Sequence, residues 1–109
     1  MATTGYLLIE SRDPWESADV RRFHDLAISL ARSQPVTLFL VQNGVLAARE
    51  GAADTGVDAL KGAGVEVLAD EFSLRERGIA RERLRTGVRA GSLDIALDRL
   101  AEGNKTLFV

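Results

Sequence analysis

The run LADEFSLRERGI, residues 68 to 79, ends an apolar stretch abruptly in two carboxylates, Asp70 and Glu71. Carboxylates at the end of a buried strand could act as a general acid and base, but neighbours in an extended segment point to opposite sides and do not form a working pair. A second chemistry is capping. Asp70 stands three residues before Ser73 and could accept from the first turn of a helix beginning near Phe72, a commoner fate for a strand-end carboxylate than catalysis.

Other candidates fall at matching places. The segment QNGV puts Asn43 and Gly44 where a strand gives way to a helical piece; exposed backbone N–H groups there could hold an anion, and Asn-Gly is equally a favourable turn. Gly44 belongs to neither a GxGxxG nor a GxxxxGK[ST] pattern, so no nucleotide fingerprint is present. Ser11 follows the first apolar run, and Trp15 comes after Pro14, where an indole either folds onto the core or anchors an interface. Arg75 and Arg77 open a stretch of six arginines reaching Arg89, which fits subunit contacts, anion recognition or local ion pairs. His24, on the first helix, reads as a boundary residue.

Composition removes whole classes of chemistry. With no cysteine, the chain has no thiolate nucleophile, disulfide, iron–sulfur cluster or thiolate zinc site. A single histidine excludes metal sites built from two imidazoles of one chain, and neither a metal nor a cofactor is expected. A net charge of −2 lacks the positive field of a dedicated nucleic-acid or membrane-surface protein. YLLI and VTLFLV fall far short of the roughly 20 residues of a membrane span. The leading MATTGYLLIESRD has no basic segment ahead of its apolar run, as a secretory signal would. The expectation is a cytoplasmic protein with no nucleic-acid or membrane partner.

These candidates need elements to hold them. Gly5 to Glu10 and Val36 to Val41 are short, nearly continuous apolar runs, the pattern of strands buried on both faces of a parallel sheet. Between them Val20, Phe23, Ala27 and Leu30 fall at helical spacing over 17 to 34, and Pro35 ends the helix. A helical piece VLAAR, a helix over 57 to 62 and a strand from Val65 to Ala69 repeat the unit. A weak fourth strand is expected near Leu84 to Val88. Ser92 then caps a helix with Leu93, Ala96, Leu97 and Leu100 inward, and KTLFV is a last strand. Residues 1 to 109 thus read as one three-layer α/β domain with a mostly parallel sheet of about five strands. In such a sheet ligands bind beyond the carboxyl ends of the strands, which gathers Ser11, Asn43, Gly44 and Asp70 into a candidate cleft, with Trp15, Arg75 and Arg77 as candidate interface or anion-binding groups.

The order of FLVQNGV at 39 to 45, GVEVLADEFSLRERGI at 64 to 79 and the ending NKTLFV resembles the DsrE/DsrF/DsrH superfamily, which includes the TusB, TusC and TusD subunits of the bacterial sulfur relay. The resemblance covers nearly the whole chain. It implies a DsrE-like fold related to flavodoxin-like domains and assembly into a homo-oligomer, a trimer or hexamer, with other sulfur-relay subunits as further partners. In active members a cysteine after the third strand carries a persulfide, eight residues before the glycine of an Arg-Gly pair; counting back from Gly78 lands on Asp70. Aspartate cannot form a persulfide. The expectation is a non-catalytic, oligomeric or accessory subunit. The alternative is a small-molecule or anion-binding protein that uses the strand-end cleft.

Overall fold

The computed structural model describes residues 5 to 109; the first four residues, part of the stretch read for a secretory signal, lie outside it. Five strands, β1 (Tyr6–Glu10), β2 (Val36–Leu40), β3 (Glu66–Asp70), β4 (Arg89–Gly91) and β5 (Lys105–Phe108), form one sheet in the order β4-β3-β2-β1-β5. Every pairing is parallel. The central strand β2, VTLFL, is buried at all five positions, as expected for a strand covered on both faces.

One face is covered by α1 (Asp19–Ala31), a 3-10 segment over Gln42–Ala48, and the short helices α2 (Val57–Gly62) and α3 (Glu71–Glu76). Leu8, Leu38, Leu40 and Val67 of the sheet pack there against Phe23, Ala27, Val45, Leu60 and Leu74. The opposite face carries Leu7, Phe39 and Leu68 and is covered by α4 (Leu93–Ala101), chiefly through Ala96. Right-handed crossovers explain this division. The steps from β1 through β4 all move one way across the sheet, whereas the step from β4 to β5 returns, so its helix must lie on the other face.

The structure corrects the reading of α4. Ala96 is buried and Ile95 half-buried, but Leu93, Leu97 and Leu100 are exposed. Arg99 sets the rotation: it donates to Thr37 Oγ1 at 2.9 Å and pairs with Glu66 at 3.1 Å, which turns the Ile95, Ala96, Arg99 line inward and the leucine line out. Ser92 occupies the N-cap position, yet its hydroxyl makes no capping bond. The fourth strand begins at Arg89, after the expected 84 to 88 segment, because Arg85 to Val88 closes a turn by a Val88 N–H to Arg85 O bond. Helix α1 is also shorter than 17 to 34, since Ser17 Oγ accepts from Asp19 N ahead of it and the last turns close on Ser29 and Leu30 before Pro35.

Candidate functional site

At the carboxyl edge of the sheet, β3 leads to a helix on one face and its neighbour β4 to a helix on the other. The crevice between two such strands is where ligands bind in open α/β sheets. Asp70 lies there, in register with Gly91.

Its chemistry is nevertheless spent on the fold. Asp70 is the N-cap of α3, and its Oδ2 accepts both the backbone N–H of Ser73 at 3.0 Å and the Ser73 hydroxyl at 2.7 Å. Ser73 Oγ in turn accepts from the backbone N–H of Gln42 at 2.8 Å. Asn43 Oδ1 receives two donors from Arg77, at 3.0 and 3.1 Å, and Arg77 also donates to Ser73 O. Asp70, Asn43 and Arg77 are therefore brought together, through Ser73, into a network that ties the segment after β2 to α3. Asp70 Oδ2, Ser73 Oγ and Asn43 Oδ1 all find partners within it.

Gly44 is needed for close approach. A Cβ at that position would overlap the carbonyl oxygen of Glu10, and the Gly44 N–H already donates to Val41 O. The QNGV segment is thus a packed turn and its glycine amide is not free for an anion. Ser11 sits elsewhere on the edge, where its N–H and hydroxyl both donate to Val109 O and hold β5 against β1. Of the expected cleft, Asn43 and Asp70 are joined through Ser73 and Arg77, whereas Ser11 bonds to Val109 instead.

The arginines pair mostly within the chain. Arg81 pairs with Glu71, Arg83 with Glu50 at 3.5 Å, Arg85 with Asp58 at 3.4 Å and Arg89 with Glu66 at 2.7 Å. Arg85 also donates to Ala52 O at 3.0 Å, which pins the loop before α2. Arg75 is exposed on α3. Trp15 is half exposed: its Nε1 donates to Ala53 O at 3.2 Å and Arg49 lies 5.9 Å from its ring centroid, so the indole braces that same loop.

Sequence reasoning missed a buried pair. Glu10, the last residue of β1, is fully buried, and His24 on α1 is nearly so, with its Nε2 2.9 Å from Glu10 Oε1 and 3.2 Å from Oε2. Burial pushes the Glu10 carboxyl above its ordinary range, against the lowering effect of the His24 hydrogen bond and charge. The signal was present in outline: a charged residue closes the apolar run YLLIE, and His24 is spaced with Val20 and Ala27 on the inward side of α1. Beside the pair, a cleft of about 370 Å³ opens between α1 and the loop leading into α2. Among the described residues no cluster of three His, Cys, Asp or Glu is placed to hold a metal ion, and no helix is long and apolar enough to cross a membrane.

The fold is one already seen in solved proteins. The YchN protein from E. coli superposes with a TM-score of 0.83 at 22% identity, covering 96% of this chain and 99% of that one. MTH1491 from Methanobacterium thermoautotrophicum, a protein of unknown function, gives 0.75 at 22% identity with the same coverage of 96% and 99%. BT1422 from Bacteroides thetaiotaomicron, a conserved protein of unknown function, gives 0.72 at 17% identity over 100% of both chains. The expected α/β fold with a five-stranded, parallel sheet is the one observed. No family model matches the sequence, and no curated protein matches it.

Proposed function

We propose that this chain is a non-catalytic DsrE-like subunit that functions by assembling with further copies of itself, as a trimer or hexamer, with sulfur-relay subunits as its candidate partners. The observation that carries this reading is an apolar surface left open on the α4 side. Leu93, Leu97 and Leu100 fall at i, i+4 and i+7 on α4 and are 57%, 53% and 45% exposed. Phe108, in register with Ile9, is on the same face of the sheet and is 68% exposed. Among the described residues strand β5 is an edge strand that pairs with β1 alone, so its outer backbone edge is without a partner strand there as well. Large apolar groups left exposed on one face of a small domain mark an association surface.

The rest of the reading concerns what the chain does not do. The position equivalent to the persulfide cysteine holds Asp70, whose oxygen is engaged by Ser73, and the chain contains no cysteine at all. Sulfur transfer therefore has no carrier atom here. Sedimentation velocity of the purified chain tests the proposal: a species of three or six chains supports it, and a lone monomer at tens of micromolar removes it.

A further inference from the structure

The cleft beside His24 belongs neither to the Asp70 network nor to the apolar face. Its walls are α1, with Arg21, His24, Asp25 and Ile28, and the loop before α2, with Asp54 and Gly56. His24 is 6% exposed, and its Nε2 is committed to Glu10. The other ring nitrogen, Nδ1, lies on the Gly56 side: a Cβ built on Gly56 would come within 2.9 Å of it. Gly56 has φ +78°, which independently favours glycine, and the missing side chain leaves room beside Nδ1 where His24 lines the cleft. When Glu10 is ionised, Nε2 donates to it and Nδ1 carries the lone pair, so the buried carboxylate sets an acceptor toward the space outside.

A buried carboxylate held by a single imidazole is an expensive way to fill a core, because apolar residues of the same volume serve stability as well or better. Its distinctive product is an imidazole of fixed orientation and tautomer facing a cavity of ligand size. The charges at the rim define what fits. Arg21 supplies one cation, Asp25 and Asp54 supply two anions, and none of the three takes part in an ion pair among the described residues. Ile28 gives part of the wall an apolar surface.

We propose that this cleft binds a small zwitterion, a free amino acid or a close analogue, with its ammonium group between His24 Nδ1 and the carboxylates of Asp25 and Asp54 and its carboxylate on Arg21. The site is independent of self-association, so either can fail without the other. Glu10 acts as a positioning residue for His24 and does not touch the ligand.

His24 is the chain's one histidine, so its imidazole ¹⁵N resonances need no assignment. The experiment titrates the free amino acids one by one into labelled protein and follows Nδ1, then repeats the best binder's titration with ethanolamine and glycolate, which keep only the ammonium or only the carboxylate. The expected result is a saturable Nδ1 shift with at least one amino acid, about tenfold weaker binding of either fragment, and a similar loss in Arg21→Ala, whose exposed side chain is dispensable for folding. Absence of a saturable shift with every amino acid overturns the proposal. Equal binding of ethanolamine or of glycolate overturns it too, by showing a site for one charge only.

Discussion

Asp70 and Ser73 are joined twice, through the backbone N–H and the hydroxyl of Ser73, both ending on one carboxylate oxygen at 3.0 and 2.7 Å. The pairing makes the residue at the topological switch point a helix cap. It also passes order onward, since the same hydroxyl receives the Gln42 N–H at a residue whose φ is +50°. The side chain that would have to carry chemistry at this edge is thereby engaged in holding the edge together.

Replacing Asp70 with Ala should lower stability by about 0.5–2 kcal/mol, the usual range for losing an N-cap acceptor, and leave the state of assembly unchanged. Urea unfolding measures the first and sedimentation the second. A loss of assembly in the folded variant would place Asp70 in a subunit contact and not only in a cap.

Gly44→Ala should be more damaging than a turn substitution ordinarily is. The added methyl meets the Glu10 backbone carbonyl, which cannot swing aside as a side chain can, and overpacking of this kind costs about 1–3 kcal/mol. A midpoint in urea equal to that of the parent chain would contradict the close packing of the QNGV turn on β1.

The Glu10 carboxyl gives a signed pH dependence. Its folded pKa is raised above 4.5 by burial, so the folded state holds the proton more tightly than the unfolded chain does. Its stabilising contribution is fully present below 4.5 and is lost as pH rises through the folded value. Glu10→Gln removes that titration. The stability of the parent chain minus that of the variant should therefore fall with rising pH from 4.5 upward, measured by denaturant unfolding at a series of pH values. A difference that is flat or rising over this interval would show that Glu10 ionises in the fold as easily as in the unfolded chain.

The sheet was legible in the sequence because burial on both faces of a parallel strand leaves continuous apolar runs, and YLLI, VTLFLV and VEVLA have them. Asp70 as a cap was legible too, from its spacing to Ser73. What failed was rotation and reach. The apolar residues of α4 form two adjacent lines, and periodicity alone does not say which one faces the sheet; the bonds from Arg99 to Thr37 and Glu66 decide it, across more than thirty intervening residues. The fourth strand was misplaced because its three residues, Arg89–Gly91, carry no apolar pattern of their own. The His24 and Glu10 pair lay 14 residues apart in two elements, each with an ordinary local explanation, and only their meeting makes either notable. Ser11 was drawn into the wrong group for a similar reason: all strand ends share one edge, but Ser11 is turned to β5 and not toward β3.

The central claim is that the open face of α4 is covered by further copies of the chain. Native mass spectrometry of the parent chain beside Leu97→Asp tests it most directly, because Leu97 is exposed in the single chain and its replacement spares the core. The account predicts three or six chains for the parent and a shift to monomer for the variant, with circular dichroism unchanged between them. A parent chain that is monomeric at the same concentration, or a variant that assembles as fully as the parent, would contradict it.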